Sequence, residues 1–313
     1  MRLVTRSDFD GLICAVLLKH IGKIDSIKFV HPKDLQDGIF AVNSNDVLAN
    51  VPFVPGCGLW FDHHATEIDR VVGKIPFTGE CRLAPSAARV VYDHFGGEKT
   101  FPGIEEMMLG VDKADSAQFT REEILHPTGW NLLSFVMDSR TGLGRFRDYR
   151  ISNYQLMYDL IDACLKLNID QILKLPDVQE RVLRYFQHDV LFREMVTEHS
   201  RTVGNVIISD LRDVDPIYCG NRFLIYAMHP QQNCSIWIVN GRENRNVSFA
   251  LGHSIINKTC TVDLGSICRK FGGGGHRVAG TCQVAHEEVE TTLQALIDSM
   301  SGVPSESAMC TAA

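Results

Sequence analysis

The chain opens with a β-prone run, Arg2-Leu3-Val4-Thr5, then a polar turn, Ser7-Asp8-Phe9-Asp10-Gly11, then an apolar stretch over 12–21 at helical spacing. This strand–turn–helix unit recurs. Residues 26–30, 46–51 and 58–61 read as further strands, and 84–95 and 104–114 as helices. The first of those helices is announced by Pro85-Ser86 and ended by Gly96-Gly97. Short strands alternating with helices predict an α/β domain with a largely parallel sheet, whose strand C-termini face one crevice.

Past residue 150 the pattern changes. The runs 154–167, 169–175 and 178–202 look helical, whereas 205–209, 222–228, 234–239 and 247–251 look like strands. A helix is expected over 262–271, ending in Gly272-Gly273-Gly274-Gly275, and an amphipathic one over 287–300. With 313 residues to place, two domains are expected. The boundaries predicted are 1–150 for the parallel-sheet domain, 151–203 for a helical connector, 204–302 for a smaller α/β domain and 303–313 for a frayed tail.

The net charge of −7 weighs against binding long duplex DNA, which needs a basic face to release counterions. It leaves room for a small phosphorylated ligand in a local basic pocket. The longest apolar runs fall far short of the ~20 residues that span a bilayer, so no membrane partner is expected. Asp8 and Asp10 interrupt the place where a signal peptide would be apolar. Ten scattered cysteines without a CxxC pair suggest reduced thiols and a cytoplasmic protein. A homodimer is compatible with the chain.

Four groups of residues can carry chemistry. Asp8 and Asp10, two apart in a turn that enters a helix, can converge on one hard cation or simply cap the helix. Asp62-His63-His64 follows the apolar run Leu59-Trp60-Phe61, and burying an acid with two imidazoles needs compensation, which metal ligation supplies. Asp115, in Asp112-Lys113-Ala114-Asp115-Ser116-Ala117-Gln118-Phe119, ends a helix where its charge opposes the dipole. The glycines at 272–275, with His276 and Arg277, offer bare amides and donors suited to an anion, or a flexible hinge. This last segment lacks the Lys-Ser/Thr ending of an ATP-binding loop and follows a helix.

Asp-x-Asp-Gly after the first strand, Asp-His-His, Asp-Ser-Ala-Gln-Phe and a late Gly-Gly-Gly-His, in that order, resemble the DHH phosphoesterase superfamily. The last motif points to the branch with a DHH-associated C-terminal domain, and exopolyphosphatase-related bacterial proteins look closest. The resemblance implies an N-terminal DHH domain and a cleft between domains that holds two manganese ions. By position, Asp8 and Asp10 would each touch an ion, His63 would be a ligand with Asp62 behind it, and Asp115 would complete the second ion. His64 would face the phosphoryl oxygens. Gly273, Gly274, Gly275, His276, Arg277 and Ser248 would grip the substrate. An oxygen- and imidazole-rich site suits Mn²⁺ or Mg²⁺.

Two positions depart from the family. Arg6 stands where a histidine ligand is usual upstream of the first Asp, and Asn50 stands where a bridging Asp is usual. Ala250 also replaces an Arg two residues after Ser248, for which Arg245 could substitute. Fewer than two tightly bound ions are therefore expected, with Arg6 supplying part of the missing charge. The function implied is hydrolysis of a small phosphate ester or anhydride: a short oligonucleotide, a pAp-like nucleotide, a cyclic dinucleotide or a short polyphosphate. The alternative is a degenerate relative that binds such a ligand with little or no turnover.

Overall fold

The computed structural model describes residues 1–301, so the tail expected over 303–313 lies outside the described residues. The chain divides into two units, one of Met1–Phe119 and His126–Tyr185, the other of Thr120–Leu125 and the chain from Phe186 onward.

In the first unit β1 (Arg2–Thr5), β2 (Ser26–Phe29), β3 (Asp46–Ala49), β4 (Leu59–Asp62) and β5 (Gly79–Cys81) pair in parallel, in the order β2-β1-β3-β4-β5. Its helices begin with α1 (Phe9–His20), α2 (Pro32–Gln36), α3 (Ala65–Val71), α4 (Ala87–His94) and α5 (Glu105–Asp115). After α6 (Arg121–Leu125), which belongs to the other unit, come α7 (Gly129–Met137), α8 (Asn153–Cys164) and α9 (Ile169–Ile172).

Strand side chains alternate between two cores, as the pleat demands. Leu3, Val47 and Phe61 enter the core shared with residues of α1, α4, α5 and α8. Val4, Leu48 and Trp60 enter the opposite one with Leu35, Phe53 and Val71. The parallel-sheet α/β architecture expected from the sequence is thus present. The strand order reverses between β1 and β3, which opens a crevice at their C-terminal ends.

Two local features shape that crevice. A Cβ at Gly11 would stand 2.1 Å from the Arg6 carbonyl oxygen, so only glycine lets β1 turn this sharply into α1. Asn50, just past β3, has φ +56°, a left-handed conformation that asparagine tolerates better than most residues.

The helix α10 (Pro176–Glu198) leads into a second, mixed sheet of β6 (Ser200–Val203), β7 (Val206–Asp210), β8 (Cys234–Asn240), β9 (Val247–His253), β10 (Gly274–His276) and β11 (Ala279–Val284). The order is β10-β11-β9-β8-β7-β6, and only β7 and β8 run parallel. One face packs Ile208, Ile236, Ile238, Phe249 and Leu251 against residues of α12 (Leu264–Arg269) and α13 (Val289–Ser301).

Three elements differ from expectation. Residues 222–228, read as a strand, contain the short helix α11 (Leu224–Met228), whose Leu224, Ile225, Tyr226 and Ala227 are all buried. A continuous apolar run carries no period by which helix and strand can be told apart. The helix expected to reach 202 stops at Glu198, and Ser200–Val203 pairs with β7 instead. The four-glycine segment, read as a loop, contributes Gly274–His276 as an edge strand.

Candidate active site

The turn after β1 delivers Asp8 and Asp10 to the crevice in different states. Asp8 caps α1: its Oδ1 accepts the Gly11 amide at 2.9 Å and the Asn50 Nδ2 at 3.0 Å. Its Oδ2 lies 3.1 Å from Arg6 Nε. Both oxygens are therefore engaged by protein donors. Asp10 is buried, 1 % exposed, and its Oδ2 and Oδ1 accept the Ala87 and Ala88 amides at 2.9 and 2.8 Å. These are the first two amides of α4, where a helix favours negative charge.

The end of β4 supplies the imidazoles. Asp62, wholly buried, accepts the His63 amide at 2.9 Å and His64 Nδ1–H at 2.7 Å, both on Oδ1. Asp62 thus orients the ring of His64, while the His63 ring is oriented elsewhere. His63 Nδ1 donates to the Ala84 carbonyl at 3.1 Å, and since a carbonyl only accepts, the proton of the neutral ring is on Nδ1. The bare Nε2 is buried and makes no hydrogen bond. It lies 3.1 Å from Asp115 Oδ2 and 3.8 Å from Asp10 Oδ2.

Three potential ligand atoms thus converge on one point. Burial, and then the charge of Asp8, push the Asp10 carboxyl above its ordinary range against the pull of His63 and the two amides. Asp115 is pushed well above that range by its crowded setting and by Asp10 and Asp8, with His64 and Arg6 opposing. Burial works against a charged His64, but the hydrogen bond and charge of Asp62, helped by Asp115 and Asp10, prevail and raise it to about 9. His64 is therefore a cation at neutral pH.

Among the described residues two groups could hold a metal ion: Asp10, His63 and Asp115, and Asp62, His63 and His64. The first fits better. Its His63 Nε2 is buried and makes no hydrogen bond, and its two carboxyls are both raised, a strain that a cation would relieve. In the second, Asp62 Oδ2 is also buried and unpartnered, but His64 Nδ1 is already bonded to Asp62 Oδ1. Cys14, one turn below Asp10, has its thiol pushed well up by burial and the surrounding carboxylates, so no thiolate competes. A set of carboxylate and imidazole donors suits Mn²⁺ or Mg²⁺.

The C-terminal candidates lie in the second unit. A Cβ at Gly273 would meet the Thr281 carbonyl oxygen at 2.0 Å, and one at Gly275 the Ala279 carbonyl oxygen at 2.3 Å, whereas Gly274 faces open space. Two of these glycines are thus demanded by close strand packing. His276 and Arg277 are exposed, and Arg277 Nη2 donates to Thr261 O at 3.2 Å. Ser248 is half-buried on β9, while exposed Arg245 pairs with Glu243. Sequence reading missed what Ala84, Ser86, Ala87 and Ala88 do. Pro85-Ser86 signalled a helix start, but backbone groups aimed at a ligand leave no mark in residue type.

No family model and no curated protein matches the chain. Among solved structures, the pGpG-specific phosphodiesterase PggH from Vibrio cholerae is 50 % identical, covering 96 % of this chain and 99 % of that one at a TM-score of 0.85. CDC45 from Entamoeba histolytica is 8 % identical over 96 % and 95 % at a TM-score of 0.50, a likeness of fold alone. Among the described residues, no helix is long and apolar enough to cross a membrane.

Proposed function

The chain belongs to the DHH phosphoesterase superfamily, and from that premise we propose that it hydrolyses a linear dinucleotide of the pGpG kind, using a single divalent ion held by Asp10, His63 and Asp115. The observation that carries the reading is the bare Nε2 of His63 facing two carboxylates, in a chain half identical to a pGpG-specific enzyme.

When bound, such an ion acts as a Lewis acid on a phosphoryl oxygen and makes water a nucleophile near neutral pH. The protein's own groups do the rest. Asp62 holds His64 by Nδ1, and the imidazolium supplies positive charge for developing phosphoryl charge. Arg6, paired with Asp8, adds a permanent positive charge. In the second unit, Ser248, Arg245, the glycines at 273–275, His276 and Arg277 are the proposed substrate-binding residues. In the reaction water adds to phosphorus, the bridging P–O bond breaks, and the leaving oxygen takes up a proton. Mn²⁺ is the favoured ion, and a short polyphosphate is the weaker substrate, since nothing in the donor set selects an anhydride.

The test is a panel of pGpG, pAp, a cyclic dinucleotide and a short polyphosphate with added Mn²⁺, run on wild type, His63→Ala and Asp10→Asn. Cleavage of pGpG ahead of the others, lost in both variants, is expected. Tight binding of pGpG without turnover would replace this reading with that of a degenerate binder, for which the engaged state of Asp8 speaks.

A further inference from the structure

The three ligands of the proposed ion site come from three elements, α1, the end of β4 and α5, and a single five-residue segment touches all three. Ala84 O accepts His63 Nδ1–H at 3.1 Å, which leaves Nε2 as the ligand nitrogen. The Ala87 and Ala88 amides hold the two oxygens of Asp10 at 2.9 and 2.8 Å. Between them, Ser86 Oγ donates to Asp112 Oδ1 at 2.7 Å, and Asp112 sits on α5 one turn before Asp115.

We propose that Ala84-Pro85-Ser86-Ala87-Ala88 is a clip that sets the geometry of the ion site, with Ser86 and Asp112 as its positioning residues. The inference rests on the single-ion reading above. Ser86 is wholly buried and has two duties. Its Oγ accepts the Arg89 amide at 3.0 Å, which caps α4 and aims the helix's first amides at Asp10. The same hydroxyl ties that helix start to α5. Arg89 closes the network, its Nε donating to Asp112 Oδ2 at 2.8 Å. The hydroxyl of Ser86 and the carboxylate of Asp112, which touch neither ligand, thus link the helix start that holds Asp10 to the helix that carries Asp115. Pro85 suits the point where the chain changes from carbonyl presentation to amide presentation, because it has no N–H to satisfy.

The groups that orient ligands typically govern metal affinity by 10–100-fold. Calorimetric titration of Mn²⁺ into the full-length protein is the test, in wild type, Ser86→Ala, Ser86→Thr and the isosteric Asp112→Asn. The expected result is roughly 10-fold weaker binding or more in Ser86→Ala and Asp112→Asn, and recovery in Ser86→Thr, which keeps the hydroxyl. Phosphodiesterase activity of the two weak binders should return at saturating Mn²⁺, with KM for pGpG unchanged. A merely structural role would lower the melting temperature in EDTA and leave Mn²⁺ affinity at the wild-type value. Wild-type affinity in both variants overturns the proposal, and should Ser86→Ala fail to fold, Asp112→Asn decides alone. Absence of pGpG cleavage by wild type would sink the functional reading but not this one, because the titration needs no turnover.

Discussion

His63 Nε2 stands 3.1 Å from Asp115 Oδ2, yet no hydrogen bond joins the buried nitrogen to any partner. The Nδ1 side of the ring is directed at Ala84 O, which leaves Nε2 and the crowded carboxyls of Asp10 and Asp115 as a ligand set that a cation would satisfy. Adding Mn²⁺ should therefore stabilise the fold. At an ion concentration 100-fold above Kd the gain is about 2.7 kcal/mol, a rise of several degrees in melting temperature for a unit of this size. Differential scanning fluorimetry with and without EDTA checks it, and His63→Ala should show no ion-dependent shift.

The same groups set the pH dependence. In the ion-free protein His64 is raised to about 9, and Asp10 and Asp115 are raised above the carboxylate range. Each of the three keeps its proton to higher pH in the folded protein than in the unfolded chain, so stability falls as pH rises through the range of these shifts. For His64 the contribution is complete below its ordinary value of 6.5 and is lost as pH passes through about 9. With EDTA present, the melting temperature should fall from pH 6 to pH 9.5. Ion binding runs the other way, because Mn²⁺ must displace protons from Asp10 and Asp115. Its affinity should weaken on acidification, and calorimetry in buffers of different ionisation enthalpy should detect the released protons.

Gly11, Asn50 and Arg6 already engage both oxygens of Asp8, so a second ion would have to compete with them for this carboxylate. Asn50 turns its Nδ2 to Asp8 and, being neutral, bridges two cations poorly. We expect one Mn²⁺ per chain by elemental analysis of the dialysed protein, with the electron paramagnetic resonance spectrum of an isolated ion. The double variant Arg6→His with Asn50→Asp removes the competing cation and restores a carboxylate, and should bind a second. Two tightly held ions in wild type would refute the single-ion reading directly.

The parallel first sheet was legible because Leu3, Val4, Val47, Leu48, Trp60 and Phe61 are apolar at every position, as a sheet covered on both faces requires. Asp10, His63 and Asp115 were legible by residue type, and the structure brings them to one point. That Asp8 is engaged was half legible: Arg6 and Asn50 stood out as anomalies, but their joint grip on one carboxylate depends on the left-handed turn at Asn50. The division of labour between the two histidines was not legible at all. Asp62 turns to His64 because adjacent residues leave β4 in opposite directions, and the partner of His63 is a backbone carbonyl. The role of Asp112 was not legible, because its meaning lies in Ser86, 26 residues away in the chain.

The glycine segment offers a test that separates the two units. Gly275 has φ +149°, a backbone region closed to most side chains, and a Cβ there would press on the Ala279 carbonyl oxygen at 2.3 Å. That oxygen belongs to β11, the strand against which β10 is paired, so Gly275→Ala must shift backbone rather than a flexible side chain. Strain of this kind costs on the order of 1–3 kcal/mol, enough to displace an edge strand that has a partner on one side only. Gly274, with nothing within 4 Å, should accept alanine far more easily. If His276 and Arg277 grip the nucleotide, Gly275→Ala should raise KM for pGpG well above that of Gly274→Ala. Mn²⁺ affinity should stay at the wild-type value in both, because Asp10, His63 and Asp115 belong to the other unit. Equal KM values for wild type and a folded Gly275→Ala would remove the β10–β11 hairpin from the substrate site.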